Sequence, residues 1–228
     1  MKTMIAASAF LIGVSWSSSS NANLIVNGGF EDGVFFSSID GGANEVPVGW
    51  TPDAGYDTPG NYNSVTTYNP YEGAHALFIA NDPGFPLASL SQSFATIPGA
   101  LYGASFELAN VWATGFLEVM IDNVPQATVT APSVALLPAG VITFTTTFAD
   151  GRTTVSAPTS YQQYVLESFD FTGTGFDTLM LAGENDEESY QIDDVAVSLV
   201  PEPSAALLGP VGCGLLVVVM RRRARPPA

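Results

Sequence analysis

The alternation of apolar and polar positions along this chain describes a series of short β-strands. Residues 117–122 read Leu-Glu-Val-Met-Ile-Asp, which puts one apolar face opposite a face carrying the acids, the period of two that marks a half-buried strand. Runs rich in Val, Ile, Phe, Tyr and Thr recur at 75–81, 87–97, 102–113, 115–125, 141–150, 164–173, 176–184 and 190–200, and 24–33 reads as a short strand followed by turn residues. Gly, Pro, Asn and Asp punctuate the spacing, as in "NDPGFP", "IPGA", "DNVP" and "FADG", where such residues favour turns. Residues 37–70 look like a long loop crossing the surface. No stretch before the C-terminal tail keeps a helical period for more than two turns. The pattern predicts an all-β domain, a jelly-roll β-sandwich over residues 23–199.

Different elements flank it. At the start, Lys2 precedes an apolar run from Met4 to Trp16, then small polar residues ending in Ser20-Asn21-Ala22. That order predicts a secretory signal helix over residues 1–22, cleaved between Ala22 and Asn23. At the end, Ser204 to Met220 carry no formal charge and Arg221, Arg222 and Arg223 follow. As a helix the uncharged segment would reach ~25 Å, and snorkelling arginines could extend it toward the ~30 Å hydrocarbon core. Residues 204–220 are therefore expected to be a single transmembrane helix, with the basic tail 221–228 cytoplasmic and the acidic domain across the membrane.

Charge sharpens this division. Of 22 Asp and Glu residues all but Glu202 lie between Asn23 and Val200, where Arg152 is the sole Lys or Arg. The domain thus carries a net charge near −20, which repels phosphates and excludes nucleic acid as a partner. It also attracts divalent cations. Low overall charge content and many aromatic residues argue for a packed core rather than disorder.

No catalytic set stands out. Cys213 lies in the tail, and the single cysteine excludes an intrachain disulfide. His75 is the only histidine; it sits in an expected strand, without a nucleophile-elbow motif elsewhere, and reads as a partly buried structural residue. The expectation is a protein that is not an enzyme. A hydrolase using surface carboxylates remains the alternative, as does an architectural protein without a small ligand. Sugar binding would use aromatic faces flanked by amides and carboxylates, and the candidates are Trp50, Tyr56, Tyr62, Tyr68, Tyr71 and Trp112.

"VPEPS" at 200–204, followed by an apolar span and "RRRAR", resembles the PEP-CTERM sorting signal of exported bacterial proteins. Pro201, Glu202 and Pro203 match its motif, and Arg221, Arg222 and Arg223 its basic block. The resemblance makes residues 200–228 a sorting signal. It implies processing by an exosortase-type enzyme, an inner-membrane precursor, and a final place on the cell surface or in the extracellular matrix of a Gram-negative bacterium making extracellular polysaccharide.

A second resemblance covers the middle. "NLIVNGGFEDG" (23–33), "VPVGW" (46–50), "YEGAHAL" (71–77), "LSQSF" (90–94) and "YQIDDVAV" (190–197) follow the order seen in galactose-binding-like jelly rolls, which include certain carbohydrate-binding modules. It implies a non-catalytic domain binding polysaccharide or serving a structural or adhesive role. It also implies a structural Ca²⁺ tying the first strand to the last through Glu31 and Asp193, with Asp194 the lesser candidate.

Overall fold

The computed structural model describes residues 22–33, 46–56, 63–85, 87–111, 114–131, 143–158, 160, 163–186 and 189–201. Apart from Ala22, Asn23 and Pro201, the residues assigned to signal, sorting motif, membrane span and basic tail lie outside them. Among the described residues there are twelve strands and no helix. In chain order these are β1 (Thr51–Pro52), β2 (Ser64–Thr66), β3 (Ala76–Ile79), β4 (Ala88–Ala95), β5 (Leu101–Val111) and β6 (Thr114–Ile121). They continue as β7 (Val124–Ala131), β8 (Phe144–Phe148), β9 (Thr153–Ser156), β10 (Val165–Thr172), β11 (Phe176–Asp186) and β12 (Ser189–Leu199).

The strands form two antiparallel sheets. The larger runs β1-β4-β11-β6-β7-β8-β9 and the smaller β10-β5-β12-β3-β2. The chain crosses between sheets at β1–β2, β3–β4, β4–β5, β5–β6, β9–β10, β10–β11 and β11–β12, so each sheet is built from distant segments. Alternation along each strand sends one face inward. Leu117, Val119, Val129, Phe144, Leu179 and Leu181 from the larger sheet pack with Leu77, Phe106, Leu108, Tyr190 and Ile192 from the smaller, all of them buried. A sandwich with one shared core follows directly from that alternation.

Several expectations needed correction. The run at 115–125 contains the turn Asp122-Asn123, both residues at positive φ (51° and 64°). It joins β6 to β7 with Ile121 opposite Val124, the tight two-residue hairpin that matches strand twist. Residues 37–70 are not all surface loop: β1 and β2 lie there, and Trp50, Tyr56 and Val65 reach the core. The N-terminal segment forms no regular strand, but it is sewn to β12. Leu24 N donates to Val197 O (2.8 Å) and Val195 N to Gly28 O (3.0 Å). Asn23 adds Nδ2 to Val195 O (3.2 Å) and accepts from Val197 N at Oδ1 (2.9 Å). Gly28 is required at this seam, because a β-carbon there would collide with the Val195 carbonyl oxygen.

β12 carries a bulge. Asp193 pairs with Glu107 and Ala196 with Ser105, leaving one extra residue on β12, and Asp194 takes up the irregularity at φ 47°. The extra residue shifts the phase, so that Val195 and Val197 continue the buried face begun by Tyr190 and Ile192.

Candidate functional site

Asp193, Glu31, Tyr71 and His75, all singled out from sequence, meet on the outer side of the smaller sheet. Asp193, on central strand β12, is fully buried even though it faces away from the core. The reason is the segment 67–75, which folds over it. Asp193 Oδ2 accepts from Tyr71 N (2.8 Å) and Glu72 N (3.2 Å), and Oδ1 from Asp194 N (2.7 Å). Glu31 grips the other end of that loop. Its Oε1 accepts from Ala74 N (2.8 Å) and His75 N (3.0 Å), while Oε2 lies 3.0 Å from His75 Nδ1. The loop is further tied by Gln191 Nε2 donating to Tyr68 O (3.0 Å) and the Tyr164 hydroxyl to Asn69 O (2.9 Å). Two carboxylates thus accept from a run of backbone N–H groups along one loop.

The electrostatics differ between the two acids. Burial pushes the Asp193 carboxyl up to about 6, only partly offset by the N–H groups of Asp194, Glu72 and Tyr71, and the Glu31 charge pushes the same way. Glu31 also feels desolvation, but the bonds from His75 and Ala74 outweigh it and hold its carboxyl below the usual range. Glu107, directly across from Asp193 in the sheet, is raised by burial and by the charges of Asp194 and Asp193, against a bond from the Tyr71 hydroxyl. The Glu107 charge in turn raises the Tyr71 phenol. Burial and the charges of Asp193 and Glu107 raise Tyr164 likewise. This face is an excess of negative charge with few compensating cations.

Oxygen donors of this kind suit a hard divalent cation. Gly29 lies between the two acids: a β-carbon built there would sit 3.7 Å from Asp193 Oδ1 and 4.0 Å from Glu31 Cγ. Those are ordinary contact distances, and Glu31 and Asp193, whose oxygens already accept from N–H groups, are the residues that could hold a cation here. Asp194 is exposed beside the bulge, near enough to Glu107 to raise its pKa. Among the described residues no three His, Cys, Asp or Glu side chains form a metal-binding group by themselves, so backbone carbonyls would have to complete any coordination.

The aromatic candidates separate. Tyr68 and Tyr71 are 43% and 47% exposed, on the loop just described, and the Tyr71 ring packs 5.5 Å from that of Tyr164. Trp50 and Tyr56 are core residues at 5% and 1% exposure, which leaves no ring face for a sugar and corrects the expectation from sequence. Trp50 packs on Phe30 with ring centroids 5.4 Å apart and donates Nε1–H to Asn27 O (3.1 Å). Tyr62 and Trp112 lie outside the described residues. Sequence reasoning missed Glu107, Gln191 and Tyr164. Glu107 could be found only by knowing that β5 and β12 pair with this register.

No family model matches the chain, and no curated protein does. Among solved structures, it is similar to the family 61 carbohydrate-binding module TmCBM61 in complex with β-1,4-galactotriose, at 16% identity over 78% of this chain and 99% of that one, with a TM-score of 0.45. It is also similar to the CBM22-1 xylan-binding domain from Paenibacillus barcinonensis Xyn10C, at 15% identity over 82% and 99% of the two chains and a TM-score of 0.43. A third similarity is to the enzymatically active domain of bacteriophage CBA120 tailspike protein 4, at 12% identity over 78% of this chain and 21% of that one, with a TM-score of 0.46.

Proposed function

We propose that this is an exported cell-envelope or matrix protein whose jelly-roll sandwich holds polysaccharide without cleaving it. The observation that carries the reading is the pairing of Tyr68 and Tyr71, half-exposed on one loop, with carboxylates that lock the loop's backbone from below. Stacking on an aromatic face needs a ring held still, and the two carboxylates hold the loop that carries these rings. A structural Ca²⁺ between Glu31 and Asp193 would neutralise the face and stiffen the same loop. Crossing of the chain between sheets at β4–β5–β6 and β10–β11–β12 supports the jelly-roll description. The order of signal peptide, PEP-CTERM motif, apolar span and arginines supports export and exosortase-type processing near Pro201.

Glu107 and Asp193 give the hydrolase reading its best carboxylate pair, since both have raised pKa values on one face. Asp193 is fully buried, however, and its oxygens are engaged by backbone N–H groups. A substrate could not touch it, and this favours binding over hydrolysis. The test is electrophoretic retardation in gels containing neutral polysaccharides. Wild-type protein is expected to be retarded by at least one of them, and Tyr71→Ala to migrate as in a blank gel while still melting cooperatively. Equal retardation of both would remove Tyr71 from the site; no retardation in any gel would leave the purely architectural role.

A further inference from the structure

A second constellation lies apart from the tyrosine loop, on the long side of the sandwich where edge strand β9 of the larger sheet approaches edge strand β10 of the smaller. The start of β7, the β8–β9 turn and the middle of β10 line a half-open cavity of about 320 Å³ whose polar lining is Gln126, Asp150, Arg152, Ser168 and Asp170. Arg152 is the one Lys or Arg between Lys2 and Arg221, so its placement here is informative. It is fixed from three directions. The guanidinium lies 3.9 Å over the Phe148 ring, one terminal nitrogen donates to Ser168 O (2.6 Å), and Nε sits 3.7 Å from Asp150 Oδ2. A guanidinium has five N–H donors, and these contacts engage at most two. The turn beneath is equally tied down, with Arg152 N donating to Asp150 Oδ1 (2.8 Å) and Phe148 N to Arg152 O (2.8 Å).

We propose that this cavity binds a neutral, hydroxyl-rich sugar unit, with Arg152 and Gln126 donating to ring hydroxyls and Asp150 and Asp170 accepting from them. Adjacent hydroxyls on a pyranose each need one donor and one acceptor, and a guanidinium held beside Asp150, in a cavity that Asp170 also lines, supplies both. An acidic sugar is disfavoured, because it would meet two carboxylates and a domain of net charge near −20. The volume stands at the lower end of the ~300–1,000 Å³ range of ligand pockets, which suits one or two rings rather than a long chain. The site goes beyond polysaccharide binding at Tyr71 and does not require it. Were both occupied, one domain would hold two glycan segments, and the second would bind at the high effective concentration that linkage confers.

The test is NMR of the full chain labelled with ¹⁵N-arginine, the Arg152 side-chain resonance being assigned by its loss in Arg152→Lys. Galactose, glucose, mannose, xylose and glucuronate are titrated separately. At least one neutral sugar is expected to shift the Arg152 Nε–H signal at about millimolar concentration, with glucuronate at least about tenfold weaker. Asp170→Asn, at an exposed position, should abolish the shift while keeping the wild-type melting temperature. Tyr71→Ala should leave it intact, which separates this site from the tyrosine loop. The proposal is overturned if none of the four neutral sugars moves the signal, if glucuronate binds as well as they do, or if the response survives in Asp170→Asn.

Discussion

Asp193 and Glu118 occupy equivalent places, each an acid on the outward face of a central strand, one in the smaller sheet and one in the larger. Their surroundings are opposite. Asp193 lies beneath the 67–75 loop with three backbone donors around it. Glu118 faces outward between Ala182 and Thr128 of the neighbouring strands and stays partly exposed. The same alternation that leaves Glu118 partly exposed on β6 gives a second buried layer on β12, where Ser189, Gln191 and Asp193 are as buried as Tyr190 and Ile192. What decides between the two outcomes is whether another part of the chain supplies N–H groups to the acid, which strand periodicity does not encode.

The sharpest way to break the comparison is to remove both carboxylates. Asp193→Ala takes the acceptor from three backbone N–H groups, and at ~1 kcal/mol for each bond it should cost about 3 kcal/mol. Glu118→Ala should stay within about 0.5 kcal/mol of wild type. Urea unfolding midpoints of the two variants would decide, and similar losses would erase the distinction.

Metal removal should have the next largest effect. A cation binding only the folded state adds about 2.7 kcal/mol at a hundredfold excess over Kd, equivalent to ~5–10 °C in a domain of this size. Chelation should lower the melting temperature by that order and added Ca²⁺ should restore it at constant ionic strength. Asp193→Asn should respond far less, whereas Glu118→Gln should respond like wild type. Identical melts with and without chelator would remove the ion from the site.

Glu167 offers a smaller and finer probe, as a buried acid that faces into the sandwich. It is 3% exposed and receives Thr146 Oγ1 (2.8 Å) and Thr154 Oγ1 (3.4 Å) rather than backbone N–H groups. Burial raises its pKa beyond what the threonine bonds and Arg152 offset. A carboxyl whose folded value is raised contributes stability in full below its unfolded value, ~4.3 for Glu, and loses it as pH rises through the folded value. Glu167→Gln removes that loss while keeping an oxygen for Thr146. Its melting temperature should therefore gain on wild type as pH rises from ~4 toward neutrality. A difference that does not change with pH would mean that the charge is accommodated.

Much of the sandwich was legible because its strands obey the period of two. Leu117, Val119 and Ile121 point inward as the pattern says, with Phe116, Glu118 and Met120 outward. The pattern even contains the less intuitive placement on β10. Once Phe169 and Phe171 face the core, parity sends Glu167 inward and leaves Leu166 62% exposed, although hydrophobicity alone would exchange them. The candidate site was legible only in part. Glu31 and Asp193 emerged from a motif resemblance, but the difference between Asp193 and Asp194 depends on a bulge that no local signal announces. Trp50 and Tyr56 were misplaced because a segment rich in Gly, Pro and Asp was expected to run over the surface. Phe30 and the Asn27 carbonyl anchor Trp50 instead.

The seam between the N-terminal segment and β12 sets an order of events during folding. It joins residues 174 apart in sequence, as in the bond from Val197 N to Asn23 Oδ1. β12 is also the strand that β5 and β3 both need as a neighbour, and it is the last strand of the domain to be synthesised. A growing chain that has not yet delivered residue 199 lacks the middle of its smaller sheet, and its opening segment has nothing to pair with. Contacts of such long range close late, since loop entropy must be overcome before they stabilise anything. Cooperative closure therefore waits for the end of the domain, and a chain stopped short of residue 199 would stay open.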